Sequence, residues 1–176
     1  MTQARNPVKT FHEEQQFRQP WLWILLLILT ACITAVFAHG FYTQLYLGQP
    51  WGDRPMSNTA LLITGTLSIV FTAAFSWLFY QLKLVTEVDH EGVHIRFFPL
   101  TRKHIRFEDI RSCEARTYRP IREYGGWGIR FSRKGKAYNV SGNRGVQLEF
   151  VQGMPLLIGS QQADELARAI HEHLRA

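Results

Sequence analysis

Two long apolar runs, at residues 21–41 and 60–80, constrain the fold of this chain more than any other feature. Neither run contains Asp, Glu, Lys or Arg. At 1.5 Å of rise per residue, a helix over either run would be about 31 Å long, close to the ~30 Å hydrocarbon core of a bilayer. The sequence therefore predicts a two-helix transmembrane hairpin, with residues 42–59 as the loop between the helices.

The distribution of charge predicts how this hairpin is oriented. The formal net charge is +6, of which residues 83–176 contribute +5, residues 1–20 contribute +1 and residues 42–59 contribute none. Positively charged flanks stay on the cytoplasmic side of a membrane, so both termini are predicted to be cytoplasmic. We expect a multi-pass protein of a bacterial inner membrane, with an N-terminal segment (1–20), a hairpin (21–82) and a cytoplasmic domain (83–176).

Small residues predict a packing surface on the hairpin. Such side chains let two helix backbones approach closely, either within the chain or between copies in a homo-oligomer. The predicted surface comprises Ala60, Thr64, Gly65, Ser68, Thr72 and Ser76 of the second run and Ala31, Thr34 and Ala35 of the first. No ionisable residue lies at the centre of either run, whereas pumps and transporters usually place such groups in the bilayer. The hairpin is therefore predicted to be an anchor rather than a transport pathway.

The segment before the first run is polar, with Phe11 and Phe17 as its apolar points. We interpret residues 10–19 as a short interfacial helix that leads into Pro20, because proline loses no hydrogen bond in the first turn of a helix.

After Lys83 the apolar residues alternate with a period of two, which is typical of β-strands. Strands are predicted at residues 84–89, 93–98, 102–107, 110–118, 128–132, 136–140, 146–151 and 155–158, with a glycine turn at 89–92. A final helix begins after Ser160 and carries one apolar face, formed by Ala163, Leu166, Ala167, Ile170 and Leu174. We expect an α+β, mainly β, domain: a bent antiparallel sheet or open barrel of seven or eight strands, capped by the C-terminal helix.

Four stretches carry a resemblance to a known class of proteins: residues 105–110 (Ile-Arg-Phe-Glu-Asp-Ile), 124–130 (Tyr-Gly-Gly-Trp-Gly-Ile-Arg), 145–148 (Gly-Val-Gln-Leu) and 157–160 (Leu-Ile-Gly-Ser). Residues 80–175 resemble the PH-like domain that follows a transmembrane hairpin in certain bacterial membrane proteins. The resemblance implies a PH-like fold and, as for most such proteins, a scaffolding role. Phosphoinositide-binding PH domains have a basic first hairpin loop, whereas residues 89–92 are acidic here, which argues against headgroup-specific lipid binding at that loop.

The glycines around Trp127 mark the most distinctive stretch of the predicted domain. Glycines at 125, 126 and 128 indicate a bulge where the backbone bends or approaches another group closely. One hypothesis is a partner-binding groove in which Tyr124, Trp127 and Arg130 contact a protein, with Trp127 as the anchor. The alternative is a structural β-bulge with Trp127 in the core.

Basic residues are dense between positions 102 and 122 and form a candidate membrane-surface patch. They are Arg102, Lys103, Arg106, Arg111, Arg116, Arg119 and Arg122. Each could contribute about 1 kcal/mol of attraction to anionic lipid, or the set could be an ordinary solvated surface. Nucleic acid is not an expected partner, because no stacking motif of alternating aromatic and basic residues is present.

The sequence contains no recognisable catalytic or cofactor motif. The histidines of His171-Glu172-His173 are two residues apart, about 200° around a helix, and so do not match the i, i+4 spacing of a zinc site. Cys113 and His104 could serve as nucleophile and base only if the fold brought them together, and Cys32 lies in an apolar run. We therefore expect a non-catalytic protein without cofactor or metal, which scaffolds protein partners at the membrane. The alternatives are an anionic-lipid sensor and, more distantly, a membrane-bound enzyme of unrecognised type.

Overall fold

The computed structural model describes residues 10–174, and within them the chain forms two compact units. One unit, the helical unit, is Arg18–Tyr80. The other, the β unit, combines residues 10–17 with residues 81–174. Residues 1–9 of the predicted N-terminal segment and residues 175 and 176 of the predicted domain lie outside the described part of the chain.

The helical unit contains two long helices. Helix α1 (Pro20–Gly40) continues as a π-helical segment (Phe41–Tyr46), and helix α2 spans Asn58–Gln81. Both are long and apolar enough to cross a membrane by length and composition. Only 6% and 17% of their most apolar windows are buried. The predicted pair of apolar helices is therefore confirmed, and most of their apolar surface is left without a protein contact in the described residues.

Close contacts join α1 and α2. The Cα of Gly65 faces the rings of Phe37 and Phe41 so closely that an added Cβ would lie 2.8 Å from Cδ1 of Phe37. Further along, the Thr30 and Ser76 hydroxyl oxygens are 3.4 Å apart. The absence of a side chain at Gly65 thus makes room for two aromatic rings.

The loop between the helices is organised by the buried side chain of Gln44. Its amide nitrogen donates to the carbonyl of Met56 at 2.7 Å and to Oδ1 of Asn58 at 2.8 Å. These bonds tie the π-helical segment to the start of α2, where the Ser57 hydroxyl accepts a hydrogen bond from the Ala60 amide at 3.2 Å.

The β unit contains nine strands and two short helices among the described residues. The strands are β1 (Phe11–Gln16), β2 (Lys83–Val88), β3 (Val93–Phe98), β4 (Thr101–Ile105), β5 (Ile110–Thr117), β6 (Gly128–Ser132), β7 (Gly135–Asn139), β8 (Arg144–Phe150) and β9 (Leu156–Gly159). The helices are α3 (Pro120–Tyr124) and α4 (Ala163–Leu174), and a 3₁₀ turn covers Phe107–Asp109.

These strands form two sheets rather than one. The first sheet has the order β1-β2-β3-β4 and the second the order β5-β8-β9-β7-β6. All pairs are antiparallel except β7 with β9, which is parallel. The eight strands after residue 82 and the final helix agree with the α+β prediction in its coarse form.

Strand β1 corrects the interpretation of residues 10–19. The expected short helix is wrong: Phe11–Gln16 pairs with β2 along its whole length. The residues alternate between inward and outward positions, with Phe11, Glu13 and Gln15 buried. Since two of the three inward residues are polar, the period of two is hidden in the hydropathy pattern. The first strand of the β unit therefore precedes α1, and the whole helical unit is inserted between β1 and β2.

The core of the β unit lies between its two sheets and α4. The ring of Phe97 on β3 is 6.3 Å from Phe17 and 6.5 Å from Tyr138 on β7, so aromatic packing links the sheets. Helix α4 contacts β5 and β8 of the second sheet, β1 and β2 of the first, and the 3₁₀ turn. Its buried face includes Leu166 and Ile170, both with no exposed surface, as its apolar periodicity predicts.

Candidate functional site

The loop around Trp127 is shaped by three glycines and anchored by Tyr124. Helix α3 ends at Gly125, whose left-handed φ of 73° lets its amide bond back to the helix. Gly126 and Gly128 also have positive φ angles, of 120° and 116°. Tyr124 is buried against Tyr118, so it belongs to the core rather than to the surface. The predicted β-bulge is wrong: β6 pairs with β7 in unbroken register, and the glycines form the loop between α3 and β6, which Tyr124 anchors.

A polar network holds α3 in place. The Arg116 guanidinium on β5 donates to Oε2 of Glu123 at 3.1 Å, and Lys134 donates to the same oxygen at 3.1 Å. The backbone amide of Arg119 donates to the other oxygen at 2.7 Å. Burial alone would raise the pKa of Glu123, but these hydrogen bonds and charges outweigh it and lower the pKa to about 2. Arg116 is thus committed to a structural ion pair.

Trp127 and Arg130 lie at the surface and contact each other. Trp127 is partly exposed, and its indole N–H donates to the carbonyl of Gly142 at 2.9 Å. Arg130 is exposed and donates from Nε to the Trp127 carbonyl at 2.8 Å. The indole is therefore fixed by its polar edge, while part of its surface remains open. Of the three predicted contact residues, the structure places these two at the surface together.

The neighbouring strand β6 presents a large aromatic side chain that the sequence analysis does not single out. Phe131 is 75% exposed, and the Lys136 ammonium lies 4.7 Å from the centre of its ring. In the described sheet β6 pairs only with β7, so its other edge carries unpaired backbone groups. Helix α3, which contacts β6, adds the exposed Ile121. We call the edge of β6 with the side chains that flank it, Trp127, Arg130, Phe131 and Ile121, the β6 surface; Arg130 and Phe131 are consecutive and point to opposite faces of the sheet.

The seven basic residues between 102 and 122 occupy several different settings. Arg106 pairs with Glu108 at 2.7 Å, and Lys103 lies over the ring of Phe150. Arg102 is on β4, and Arg111 on β5 donates to the Val151 carbonyl at 3.5 Å. Arg116 is in the Glu123 network. Arg119 immediately precedes α3, and Arg122 lies within it. The structure does not gather the set around one common centre.

The outer face of the first sheet carries a row of titratable side chains. Cross-strand pairing aligns His12, Glu87, His94 and His104 across the four strands. Glu87 accepts from Arg96 at 2.8 Å and contacts Nδ1 of His12 at 3.0 Å. The rings of His94 and His104 are stacked with centres 4.3 Å apart. Sequence reasoning missed this row because only the pairing register brings the residues together.

The side chain of Asp89 holds the acidic β2–β3 turn, residues 89–92, in place. Its Oδ1 accepts from the amides of Glu91 and Gly92 at 2.9 and 3.2 Å, and its Oδ2 is 3.1 Å from His94. Burial would raise the pKa of Asp89, but these hydrogen bonds and the nearby histidine produce a net lowering. The carboxylate therefore shapes the β2–β3 turn.

A cavity of about 430 Å³ lies on the same outer face. Its lining includes the polar side chains of Glu14, Lys83, Glu87, Arg96 and Arg102 and the β3–β4 turn at Phe98, Pro99 and Leu100. Lys83 is paired with Glu14 at 3.3 Å. The cavity combines apolar groups with three cations and two carboxylates.

The cysteine–histidine contact in the β unit differs from the one considered in the sequence. Cys113 lies 3.1 Å from Nδ1 of His171 on α4, whereas His104 is stacked on His94. The same nitrogen lies 2.9 Å from the Ala167 carbonyl, which can only accept a hydrogen bond. Burial raises the pKa of the Cys113 thiol to about 11. A buried, protonated thiol is a poor nucleophile.

The described residues contain no group of three or more His, Cys, Asp or Glu side chains that could hold a metal ion. His171 and His173 diverge, since His173 stacks on Phe107 instead.

The predicted small-residue surface of the helical unit is divided between inside and outside. Gly65 and Thr72 are buried, and Ala60, Ser68 and Ser76 are partly buried. Thr64, Ala31, Thr34 and Ala35 are exposed. The helix α1 side of the contact is made by larger residues such as Phe37, so packing of Ala31, Thr34 and Ala35 against another copy stays a prediction.

Comparison with known proteins places nearly the whole chain within one family. A family model described as "Family of unknown function (DUF6141)" matches residues 9–175. No curated protein matches the chain.

Proposed function

The chain belongs to a family of unknown function (DUF6141), and we propose that it is a two-span membrane protein whose β unit acts non-catalytically as a docking module. The β unit would be a PH-like domain on the cytoplasmic face of a bacterial inner membrane. Its β6 surface would hold a protein partner there.

The exposed apolar surface of α1 and α2 supports a membrane location. Large side chains such as Leu27, Leu67 and Phe71 are more than 60% exposed. In water this surface would favour aggregation, whereas lipid tails would cover it. The positive flanks at both ends of the helical unit support cytoplasmic termini.

The arrangement of the β unit is compatible with a PH-like domain. The resemblance at residues 80–175 implies a mainly antiparallel β domain closed by a C-terminal helix; the β unit has that helix, although its strands form two sheets and one strand pair is parallel. The insertion of a helical unit after β1 is an addition to that plan. A fold of this kind names no activity by itself, so the role is argued from the β6 surface.

The exposure of Phe131 on a free strand edge is the observation that carries the docking proposal. An edge strand offers unpaired N–H and C=O groups to an extended segment of another chain. A segment paired with this edge would meet Phe131 as an apolar anchor on one face of the sheet, and Arg130 with the open part of Trp127 on the other. The nearby Lys136, which forms no ion pair with a carboxylate among the described residues, favours a partner segment with acidic residues.

The rival hypotheses have less support. In the basic set 102–122, Arg106 and Arg116 are already engaged with carboxylates, so the set as a whole is a weak lipid sensor. A catalytic role for Cys113 conflicts with its burial and raised pKa.

Site-specific photocrosslinking in cells would test the docking proposal. A photoreactive residue in place of Phe131 should crosslink a specific partner, and Trp127→Ala should reduce the yield at least several-fold. The matched control is the same photoreactive residue in place of Val151, which is 51% exposed in the β8–β9 turn. Equal products from positions 131 and 151 would refute a docking role for the β6 surface. A product of twice the chain mass would identify a second copy as the partner.

A further inference from the structure

The strand register of the first sheet brings three features to one end of it. Gln16 is opposite Lys83, and Lys83 is opposite Phe98. The end of β1, the start of β2 and the β3–β4 turn therefore share this end, which we call the turn end. The chain enters α1 four residues after β1 ends, and β2 begins two residues after α2 ends.

The turn at this end exposes apolar side chains without an evident structural reason. Phe98 is 43% exposed and Leu100 is 56% exposed, and Pro99 lies between them. Both side chains line the 430 Å³ cavity. Exposed apolar residues beside cations are the composition of protein segments that insert into the boundary between lipid headgroups and acyl chains.

The cations around this turn are incompletely neutralised. Arg96 on β3 is directly opposite Arg102 on β4, and like charges in this position repel. Glu87 compensates Arg96 at 2.8 Å. Among the described residues, no carboxylate forms an ion pair with Arg102, which is exposed at the mouth of the cavity. An external anion between the two guanidiniums would relieve the repulsion and could accept paired hydrogen bonds from them.

We infer that the turn end binds anionic phospholipid headgroups, with Arg102 and Arg96 on the phosphate and Phe98 and Leu100 among the lipids. This inference rests on the membrane location in the proposed function and concerns a different surface from the β6 surface. It assigns the lipid contact to one turn, not to the basic set as a whole. We assign the bound anion to a lipid headgroup rather than to free phosphate because Phe98 and Leu100, beside the arginines, need an apolar environment. A soluble anion does not provide one.

Spin-label accessibility of the full chain in nanodiscs tests the inference. In a Cys32→Ala background, a label is attached at Leu100→Cys or, as a control at the other end of the sheet, at Glu91→Cys in the β2–β3 turn. With equal parts phosphatidylcholine and phosphatidylglycerol, the label at 100 should be shielded from a water-soluble nickel chelate and accessible to oxygen. The label at 91 should stay accessible to the chelate. High salt should reduce the shielding, because it screens the headgroup charge.

Two arginine variants distinguish a specific lipid contact at Arg102 from a general effect of positive charge on the protein. A cation close to an anionic surface shifts the docking equilibrium about fivefold. Arg102→Gln should therefore reduce the phosphatidylglycerol-dependent shielding about fivefold, and Arg122→Gln, which also removes an exposed charge, on α3, should leave it unchanged.

Three outcomes would overturn the inference. If the chain enters nanodiscs but the label at 100 is as accessible to the chelate as the label at 91, the lipid contact is wrong and the membrane location stands. If the chain does not enter nanodiscs, both the inference and the proposed membrane location fail. If inorganic phosphate shields the label equally in pure phosphatidylcholine, the site binds a soluble anion instead.

Discussion

The carboxylate of Glu13 on β1 accepts a hydrogen bond of 2.5 Å from the hydroxyl of Ser160, which is 147 residues later in the chain. The second carboxylate oxygen accepts from the Gln161 amide at 2.8 Å. Ser160 in turn accepts from the Gln162 amide at 3.0 Å, immediately before α4 begins. A strand that precedes the helical unit therefore supports the start of the final helix, and the two ends of the described chain are joined in one buried polar contact.

Glu13→Ala should destabilise the β unit by roughly 2–3 kcal/mol, because it leaves a buried hydroxyl and a backbone amide without their acceptor. The measurement is the unfolding free energy of the full chain in mild detergent, followed by near-UV circular dichroism. Glu14→Ala is the matched control: Glu14 is the next residue on the strand, faces outward and is paired with Lys83 at the surface. Its loss should cost about 0.5 kcal/mol or less. Equal effects of the two variants would show that the Ser160 contact contributes nothing.

The pKa of Glu123 predicts a specific loss of stability in acid. The unfolded pKa is near 4.5 and the folded pKa is about 2, so the unfolded state binds a proton first as the pH falls. The contribution of Glu123 is complete above pH 4.5 and declines until pH 2. At 1.36 kcal/mol per pKa unit, the wild type should lose roughly 2 kcal/mol more than Glu123→Gln between pH 6 and pH 3. Parallel pH profiles of the two proteins would contradict the role of the Arg116 and Lys134 contacts.

The parts of the fold that the sequence predicts are those with regular apolar spacing. Inward and outward residues alternate in β2 and β3 around the turn at Gly92, and α4 has one apolar face. The sequence therefore predicts this hairpin and this helix. Strand β1 was not, since Glu13 and Gln15 face inward and find their partners only at residues 159–161. A local pattern cannot show that a distant segment will satisfy a polar side chain.

The candidate site shows the same limit. The glycines around Trp127 predict a bulge where the structure has a loop between α3 and β6, and they do not show that Arg116 and Gln147 will hold the Tyr124 hydroxyl in the core. Phe131 was missed because its spacing from Ile129 resembles an ordinary strand face, and the local sequence does not show that this face is left uncovered at residue 131. The stacked pair His94 and His104 likewise depends on the β3–β4 register.

Cys113 should be almost inert to alkylation in the folded protein. A thiol with a pKa of about 11 is about a hundredfold less ionised at pH 8 than one with the ordinary value of 9.0, and burial restricts access further. In Cys32→Ala, the iodoacetamide rate at Cys113 should therefore be at least about 100-fold slower in the folded chain than in denaturant. Rapid modification of the folded protein would instead indicate that His171 activates the thiol, and would reopen the enzymatic alternative.

Gly65→Leu should separate α1 from α2, because the space beside its Cα is occupied by the rings of Phe37 and Phe41. Overpacking of this kind costs about 1–3 kcal/mol. The sensor is a disulfide between Thr30→Cys and Ser76→Cys in the Cys32→Ala background, at positions whose hydroxyl oxygens are 3.4 Å apart. This disulfide should form readily in the parent and several-fold less in Gly65→Leu. Thr66→Leu places the same side chain at the adjacent exposed position and should leave the yield unchanged, whereas an equal loss in both variants would assign the effect to the helix rather than to the contact.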